Sequence, residues 1–170
     1  MENTKTRRIS VRILSVIMAL VAIVGSFSAQ STVYAATKSP VTAYAAAKKA
    51  CGKSFPLSTS NRISGKSVVL GVKAADCESY YAAQKFSSSS KEVYEIFICK
   101  VKKGKKSSVK SQLKKHIKNE KTSMQSYLSK KGKKLFSNYK VGSVGNYVYL
   151  VMVDTKKNSK AVKAIKKNLK

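Results

Sequence analysis

Two segments of this chain are apolar on both faces of an extended strand, and nothing else in it narrows the fold so far. Along Glu92–Lys102, Val93, Phe97, Cys99 and Val101 point one way while Tyr94, Ile96 and Ile98 point the other. Tyr147–Val153 (YVYLVMV) repeats the pattern. Such strands belong in the interior of a sheet covered on both sides, because either face left in water would expose a row of large side chains. Each is preceded by a weaker strand. Tyr80–Phe86 leads into the first through the polar turn Ser87–Ser90, and Tyr139–Val144 leads into the second through Gly145-Asn146, a two-residue turn of the primed type. The weaker strands are expected at the sheet edges.

The cover must come from helical stripes. Ser39-Pro40 opens a first helix, a capping hydroxyl followed by proline at the first helical position, and Gly52 ends it after the alanine-rich run Val41–Cys51. Phe55–Lys66, with Pro56, Gly65 and many hydroxyl side chains, is read as a connection, and Ser67–Glu78 as holding one or two short helical turns. Val109, Leu113, Ile117, Met124 and Leu128 fall on one stripe, so Ser108 to about Lys130 is expected as a single long helix ended by Gly132. At 1.5 Å per residue it would span roughly 33 Å, enough to cover one face of a small sheet. Lys160–Leu169 closes the chain as a helix that buries Val162, Ile165 and Leu169.

These readings give an α+β fold. A small antiparallel sheet of about four strands, built from two hairpins, packs with the long amphipathic helix and the C-terminal helix. The ββαββα core follows an N-terminal helix. Phe97, Cys99, Leu113, Ile117, Val148, Leu150, Val151 and Ile165 are expected to share one core. Residues 36–170, 135 in number, suit one domain of this kind.

The order of elements and several motifs resemble the uncharacterised family of small exported proteins and lipoproteins of Gram-positive bacteria known as domain of unknown function 4358. The resemblance covers roughly Val41 to Leu169. It rests on the alanine-rich opening helix, the hairpin YAAQKFSSSSKEVYEIFICKVK (Tyr81–Lys102), the charged helix ending near Tyr127 and the segment NYKVGSVGNYVYLVMVD (Asn138–Asp154). The most specific piece is GNYV followed by an apolar strand and a final helix. The family carries no established activity, so the resemblance implies compartment and fold and transfers no functional residues. It includes lipoproteins, and here this chain departs from it: Cys51 lies far beyond the apolar N-terminal run, and Lys48-Lys49-Ala50 before it is not a lipid-attachment motif.

The N-terminus reads as an export signal. Arg7, Arg8 and Arg12 precede an uncharged 13-residue run, Ile13–Gly25, and Val33-Tyr34-Ala35 supplies the small residues of a cleavage site between Ala35 and Ala36. Residues 1–35 are thus expected as a cleavable signal peptide and 36–170 as the exported domain, either secreted free or held at the cell wall. The competing reading is an uncleaved anchor. A spanning helix wants about 20 apolar residues, reached here only through Ser26, Ser28 and Gln30.

Residues 36–170 carry 31 basic and six acidic side chains, a net charge of +25. Thirty of the bases are lysine and one is arginine, Arg62. Lysine is a hydrated point charge, whereas reading a nucleic-acid sequence calls on the flat guanidinium fork. Sequence-specific nucleic-acid binding is therefore disfavoured. Diffuse attraction to anionic wall polymers or lipid head groups is the expected partnership. The pattern Lys102-Lys-Gly-Lys-Lys106 recurs as Lys130-Lys-Gly-Lys-Lys134 and brackets the long helix. Lysines ahead of a helix oppose its dipole, and an anion bound there would relieve the repulsion. Lys102, Lys103, Lys105, Lys106, Ser107 and Ser108 form the candidate anion site. The second run, read as following the helix, would be favourable.

Catalytic signals are weak. Gly52-Lys53-Ser54 and Gly65-Lys66-Ser67 mimic a phosphate-binding loop but lack its first glycine, having Ala47 and Ser60 there. The single histidine, His116, sits on the edge of the helix stripe, and a Cys–His pair with one of Cys51, Cys77 or Cys99 is the enzymatic alternative. The odd cysteine count favours three unpaired thiols over one disulfide plus one thiol, with Cys99 a buried core thiol. Asp76/Glu78 and Glu92/Glu95 are read as ion-pair partners rather than an acid/base couple. No metal site and no cofactor are expected. The reading that results is an exported, non-enzymatic, strongly basic envelope-associated domain, its alternatives a secreted thiol-dependent enzyme or redox protein and a non-specific nucleic-acid binder. Amino-terminal sequencing of the exported protein is expected to begin at Ala36; Met1 or Glu2 retained on membrane-bound protein would establish the anchor instead.

Overall fold

The computed structural model describes residues 38–170, so the signal segment and the Ala35–Ala36 junction lie outside the described residues. In chain order the elements are α1 (Pro40–Cys51), β1 (Arg62–Ile63), β2 (Val68–Val69), β3 (Val72–Lys73), β4 (Cys77–Ser87), β5 (Glu92–Val101), α2 (Lys106–Met124), α3 (Lys130–Asn138), β6 (Lys140–Val144), β7 (Tyr147–Met152) and α4 (Asn158–Leu169). The two doubly apolar strands, β5 and β7, lie side by side. They form the middle of a five-stranded antiparallel sheet of order β1-β4-β5-β7-β6, with Phe97 opposite Leu150 and Ile98 opposite Tyr149. β6 is an edge, as expected. β4 is covered over two residues by β1, which the connecting-segment reading missed.

Alternation along the central strands sorts the interior into two cores rather than one. Val93, Phe97, Cys99, Val148 and Leu150 pack with Val109, Leu113 and Ile117 of α2 and with Leu135 and Phe136 of α3. On the other face Ile96, Ile98, Tyr149 and Val151 pack with Ala43, Tyr44 and Ala47 of α1 and with Ala161, Ile165 and Leu169 of α4. The expected single core is therefore split. Val151 and Ile165 lie across the sheet from the other six residues named for it, because successive side chains of a strand face opposite ways. Val162 is only half-buried, and Ala161 takes the inward position instead.

Local chemistry explains most element ends. Ser39 and Thr42 form a reciprocal capping box at α1, each side-chain oxygen 3.1 Å from the other's amide. Gly145 alone of the β6–β7 turn pair has positive φ, 52°, the pattern of a II′ turn. The buried Asn158 accepts from the amides of Val153 (2.9 Å) and Asp154 (3.1 Å) and donates to the carbonyl of Asn138 (2.9 Å). One side chain thereby ties the end of β7, the end of α3 and the start of α4 together.

Two expectations are corrected and one is extended. The long helix stops at Met124, and Ser129 caps a separate helix, accepting from the amide of Gly132 at 3.1 Å. Thr122 and Ser123 hydroxyls bond back to the carbonyls of Lys118 and Glu120, a competition that weakens a last helical turn. Gly132 is thus inside α3 and not a stop. A Cβ there would lie 2.5 Å from the carbonyl oxygen of Lys91, so glycine serves the close approach of α3 to the β4–β5 turn. Second, Ser67–Glu78 holds one short 3-10 turn, Ala74–Asp76, within the one or two expected, and adds a small hairpin, β2–β3. Third, Cys77 and Cys99 form a disulfide and leave only Cys51 free. The hairpin register decides it: Cys77 stands opposite Val101, a bulge before Ser79 puts Tyr80 opposite Cys99, and the two Cα atoms are 6.0 Å apart. The crosslink closes a loop of 22 residues. Restricting such a loop in the unfolded chain is worth about 3 kcal/mol. Replacing both cysteines by alanine should lower the unfolding free energy by roughly that amount, read from urea denaturation of the double variant against oxidised wild type.

Candidate functional site

Parity along β5 places a carboxylate where the sheet needs an apolar side chain. Glu95 lies between Val93 and Phe97 on the face covered by α2, and it is fully buried. Its neighbour on β4 is Gln84, directly opposite, whose amide donates to Glu95 Oε1 at 2.6 Å and to Glu120 Oε1 at 3.0 Å. From α2, His116 Nε2 lies 3.0 and 3.1 Å from the two Glu95 oxygens and 3.4 Å from Glu120 Oε2. His116 and Glu120 are one helical turn apart, so both side chains reach down the same face. Nε2 and one oxygen of each carboxylate all fall within 4.8 Å of one another.

The β2–β3 hairpin holds this arrangement from above. Its turn, Leu70-Gly71, has positive φ at both residues, 45° and 73°, and Leu70 is anchored in the α2-side core. A Cβ on Gly71 would sit 2.7 Å from His116 Cβ, so the turn must be glycine where it crosses α2. Between hairpin and helix opens a cavity of about 610 Å³ whose lining includes Gly71, Lys73, Lys115, His116, Asn119 and Glu120.

Electrostatics couple the three groups. Burial alone would lower the His116 pKa, but the hydrogen bond to Glu95 and the charges of Glu95 and Glu120 outweigh it and hold the imidazole above its ordinary value. Burial, then the charge of Glu95, push Glu120 up to about 8, so the carboxylate pair shares a proton at neutral pH. A buried base, a protonated carboxyl and an open cavity can together exchange protons or hold a cation.

The six residues named for an anion site surround one helix start, and the second lysine run lies elsewhere than expected. Lys102, Lys103, Lys105, Lys106, Ser107 and Ser108 are all exposed around the N-terminus of α2, whose N-cap Lys105 offers no side-chain acceptor. Lys102, Lys103, Gly104, Lys106 and Ser107 line a cavity of about 640 Å³ together with Glu78. Lys105 is engaged elsewhere, 3.2 Å from the buried Asp76, whose carboxyl is held low by Gln112 and then by Lys105 itself. The second lysine run does not follow a helix. It forms the first turns of α3, where Lys131 pairs with the buried Glu92 at 3.1 Å. Both runs thus oppose a helix dipole, and each donates one lysine to a buried carboxylate.

The free cysteine and the histidine are kept apart, and the two cysteines on the histidine's side of the sheet are joined in the disulfide. His116 belongs to the α2 side of the sheet, while Cys51 packs in the core of the opposite face. Burial pushes the Cys51 thiol up, with Lys157 only partly offsetting it. Among the described residues no helix is long and apolar enough to cross a membrane.

The family model described as a domain of unknown function (DUF4358) matches residues 62–153, more than half of the chain. The chain belongs to this family. The matched DUF4358 segment runs from β1 to just past β7, taking in the whole sheet, α2, α3, both lysine runs and the Glu95–His116–Glu120 cluster, and leaving out α1 and α4. No curated protein and no solved structure matches the chain.

The sequence reading missed this cluster because it weighed His116 against cysteines and Glu95 against its chain neighbour Glu92. The available signal was parity: a glutamate at a core-facing position of an interior strand demands a buried partner. Because the proton on the Glu95–Glu120 carboxylate pair is bound more tightly in the folded than in the unfolded chain, its stabilising contribution is complete below the ordinary Glu value of 4.5 and is lost as pH rises through about 8. Thermal melts in chelating buffer from pH 5 to pH 9 should show wild type losing a few degrees relative to Glu120→Gln. Parallel profiles would mean that Glu120 titrates normally.

Proposed function

We propose that this domain is an exported, non-catalytic binding module that attaches to anionic polymers of the cell envelope, with the N-terminal end of α2 as its principal contact. The observation that carries this reading is the placement of both Lys-Lys-Gly-Lys-Lys runs at helix N-termini. Each lysine there opposes the dipole by about 0.3–1 kcal/mol at low salt. Buried carboxylates relieve only Lys105 and Lys131. Lys102, Lys103 and Lys106 remain exposed around a cavity that also offers Ser107 and the unpaired first-turn amides. An anion seated there would meet positive charge, hydrogen-bond donors and the positive end of the dipole together.

Chain composition supports the same class of partner. A net charge of +25 over residues 36–170, nearly all lysine, favours association by counterion release without a fixed recognition geometry. The export signal read in residues 1–35 would place the domain among wall teichoic acids and anionic head groups. The buried Cys51, with its raised pKa, gives no support to thiol chemistry.

The test uses Lys102, Lys103 and Lys106 changed to glutamine, leaving Lys105 on Asp76. Binding to purified wall teichoic acid is measured across a salt series. The slope of log affinity against log salt should fall by about 2, as expected when three phosphate contacts are lost. A control with Lys160, Lys163 and Lys167, which are exposed along α4, should change much less. Equal losses in the two variants would leave only general charge and remove the proposed contact.

A further inference from the structure

We propose that Glu95, His116 and Glu120 form a binding site for a divalent transition-metal ion, with zinc the ion its donor set fits. This goes beyond the attachment of the domain to polymers and involves none of the lysines invoked there.

The spacing of the donors carries the proposal. Zinc binds imidazole nitrogen and carboxylate oxygen at about 2.0–2.2 Å in tetrahedral geometry, which separates neighbouring donor atoms by roughly 3.3–3.6 Å. Here Nε2 of His116 is 3.0 Å from Glu95 Oε1 and 3.4 Å from Glu120 Oε2. The two pairs that include the imidazole are thus within a few tenths of an ångström of that spacing, and the two carboxylate oxygens lie within 4.8 Å of each other. Three protein donors and an open fourth position match the plan of a zinc site that keeps a water. The open position is available, since His116 and Glu120 both line the 610 Å³ cavity beneath the β2–β3 hairpin.

Charge and hydrogen bonding point the same way. Two carboxylates face one another, and the only group drawn between them from β4 is the uncharged amide of Gln84. With both carboxylates ionised, His116 can balance at most one of the two negative charges. Glu120 Oε2 is buried and accepts no hydrogen bond. A divalent ion would satisfy that oxygen and remove the repulsion between the carboxylates. Gln84 would keep both ligands oriented, and Gly71 would hold the imidazole by contact with its Cβ. The lysines at the cavity rim, Lys73 and Lys115, are solvent-exposed and therefore screened at physiological salt, whereas the three donors touch the ion directly.

The chain has one histidine, which allows a direct test. The protein is prepared without a histidine tag, stripped with chelator and titrated with Zn²⁺ by calorimetry, while NMR follows the imidazole nitrogens. One equivalent should bind, with the Nε2 signal shifting to saturation at the same ratio. Co²⁺ in its place should give the visible absorption of a low-coordinate site. Glu120→Gln should weaken Zn²⁺ binding about tenfold or more with the fold intact by circular dichroism. Absence of binding to folded wild type overturns the proposal, as does binding that leaves the imidazole signals unmoved. Should Glu120→Gln fail to fold, the imidazole titration of wild type still decides.

Discussion

Everything in this domain is arranged around the need to cover both faces of β5 and β7. Phe97, Cys99, Val148 and Leu150 on one face and Ile96, Ile98, Tyr149 and Val151 on the other are buried to a few per cent or less. At about 25 cal/mol per Å² of apolar surface removed from water, leaving either face open would sacrifice several side chains' worth of burial, each about 1.5–3 kcal/mol. The chain meets this demand with two pairs of helices, α2 and α3 on one side and α1 and α4 on the other. The three-layer arrangement follows from the strands.

The same constraint explains why the polar exceptions are informative. Glu95, Glu92, Asp76 and Asn158 are the buried polar side chains among the described residues, and each is held by specific partners. Asp76 and Glu92 take lysines from the starts of α2 and α3, fixing where each helix begins against the sheet. Asn158 joins three element ends. Glu95 differs from these, because it lies in the middle of the central sheet and its partners, His116 and Glu120, open onto a cavity. Burying a carboxylate there costs several kcal/mol unless it is compensated, which is why the cluster around it draws attention as a site.

Much of the fold was legible. The Ser39-Pro40 start, the Gly145-Asn146 turn and the inward stripes of α2 and α4 depend on contacts within a few residues, and they stand close to where periodicity and turn chemistry put them. The failures share one cause. Gly132 looked like a helix stop because glycine usually is one, yet its role is set by the carbonyl of Lys91, some forty positions away. The Cys77–Cys99 crosslink depends on a bulge that shifts the β4–β5 register, and no spacing rule encodes that bulge. The second lysine run changed from a favourable to an unfavourable helix end because the helix broke at Met124, where hydroxyl side chains and the Ser129 cap outcompete a continuous stripe.

The sequence by itself determined the class of the fold, the two interior strands and the charge. These follow from composition and from periods of two and 3.6 residues, which are local properties. Only the tertiary structure decided which residues act together. Gln84, Glu95, His116 and Glu120 come from two strands and a helix, and they meet because strand register and helix packing bring them within hydrogen-bond distance across the sheet face. Register and packing are set by the sum of many burial contacts over the whole domain. No single segment carries enough of that sum to reveal the meeting point.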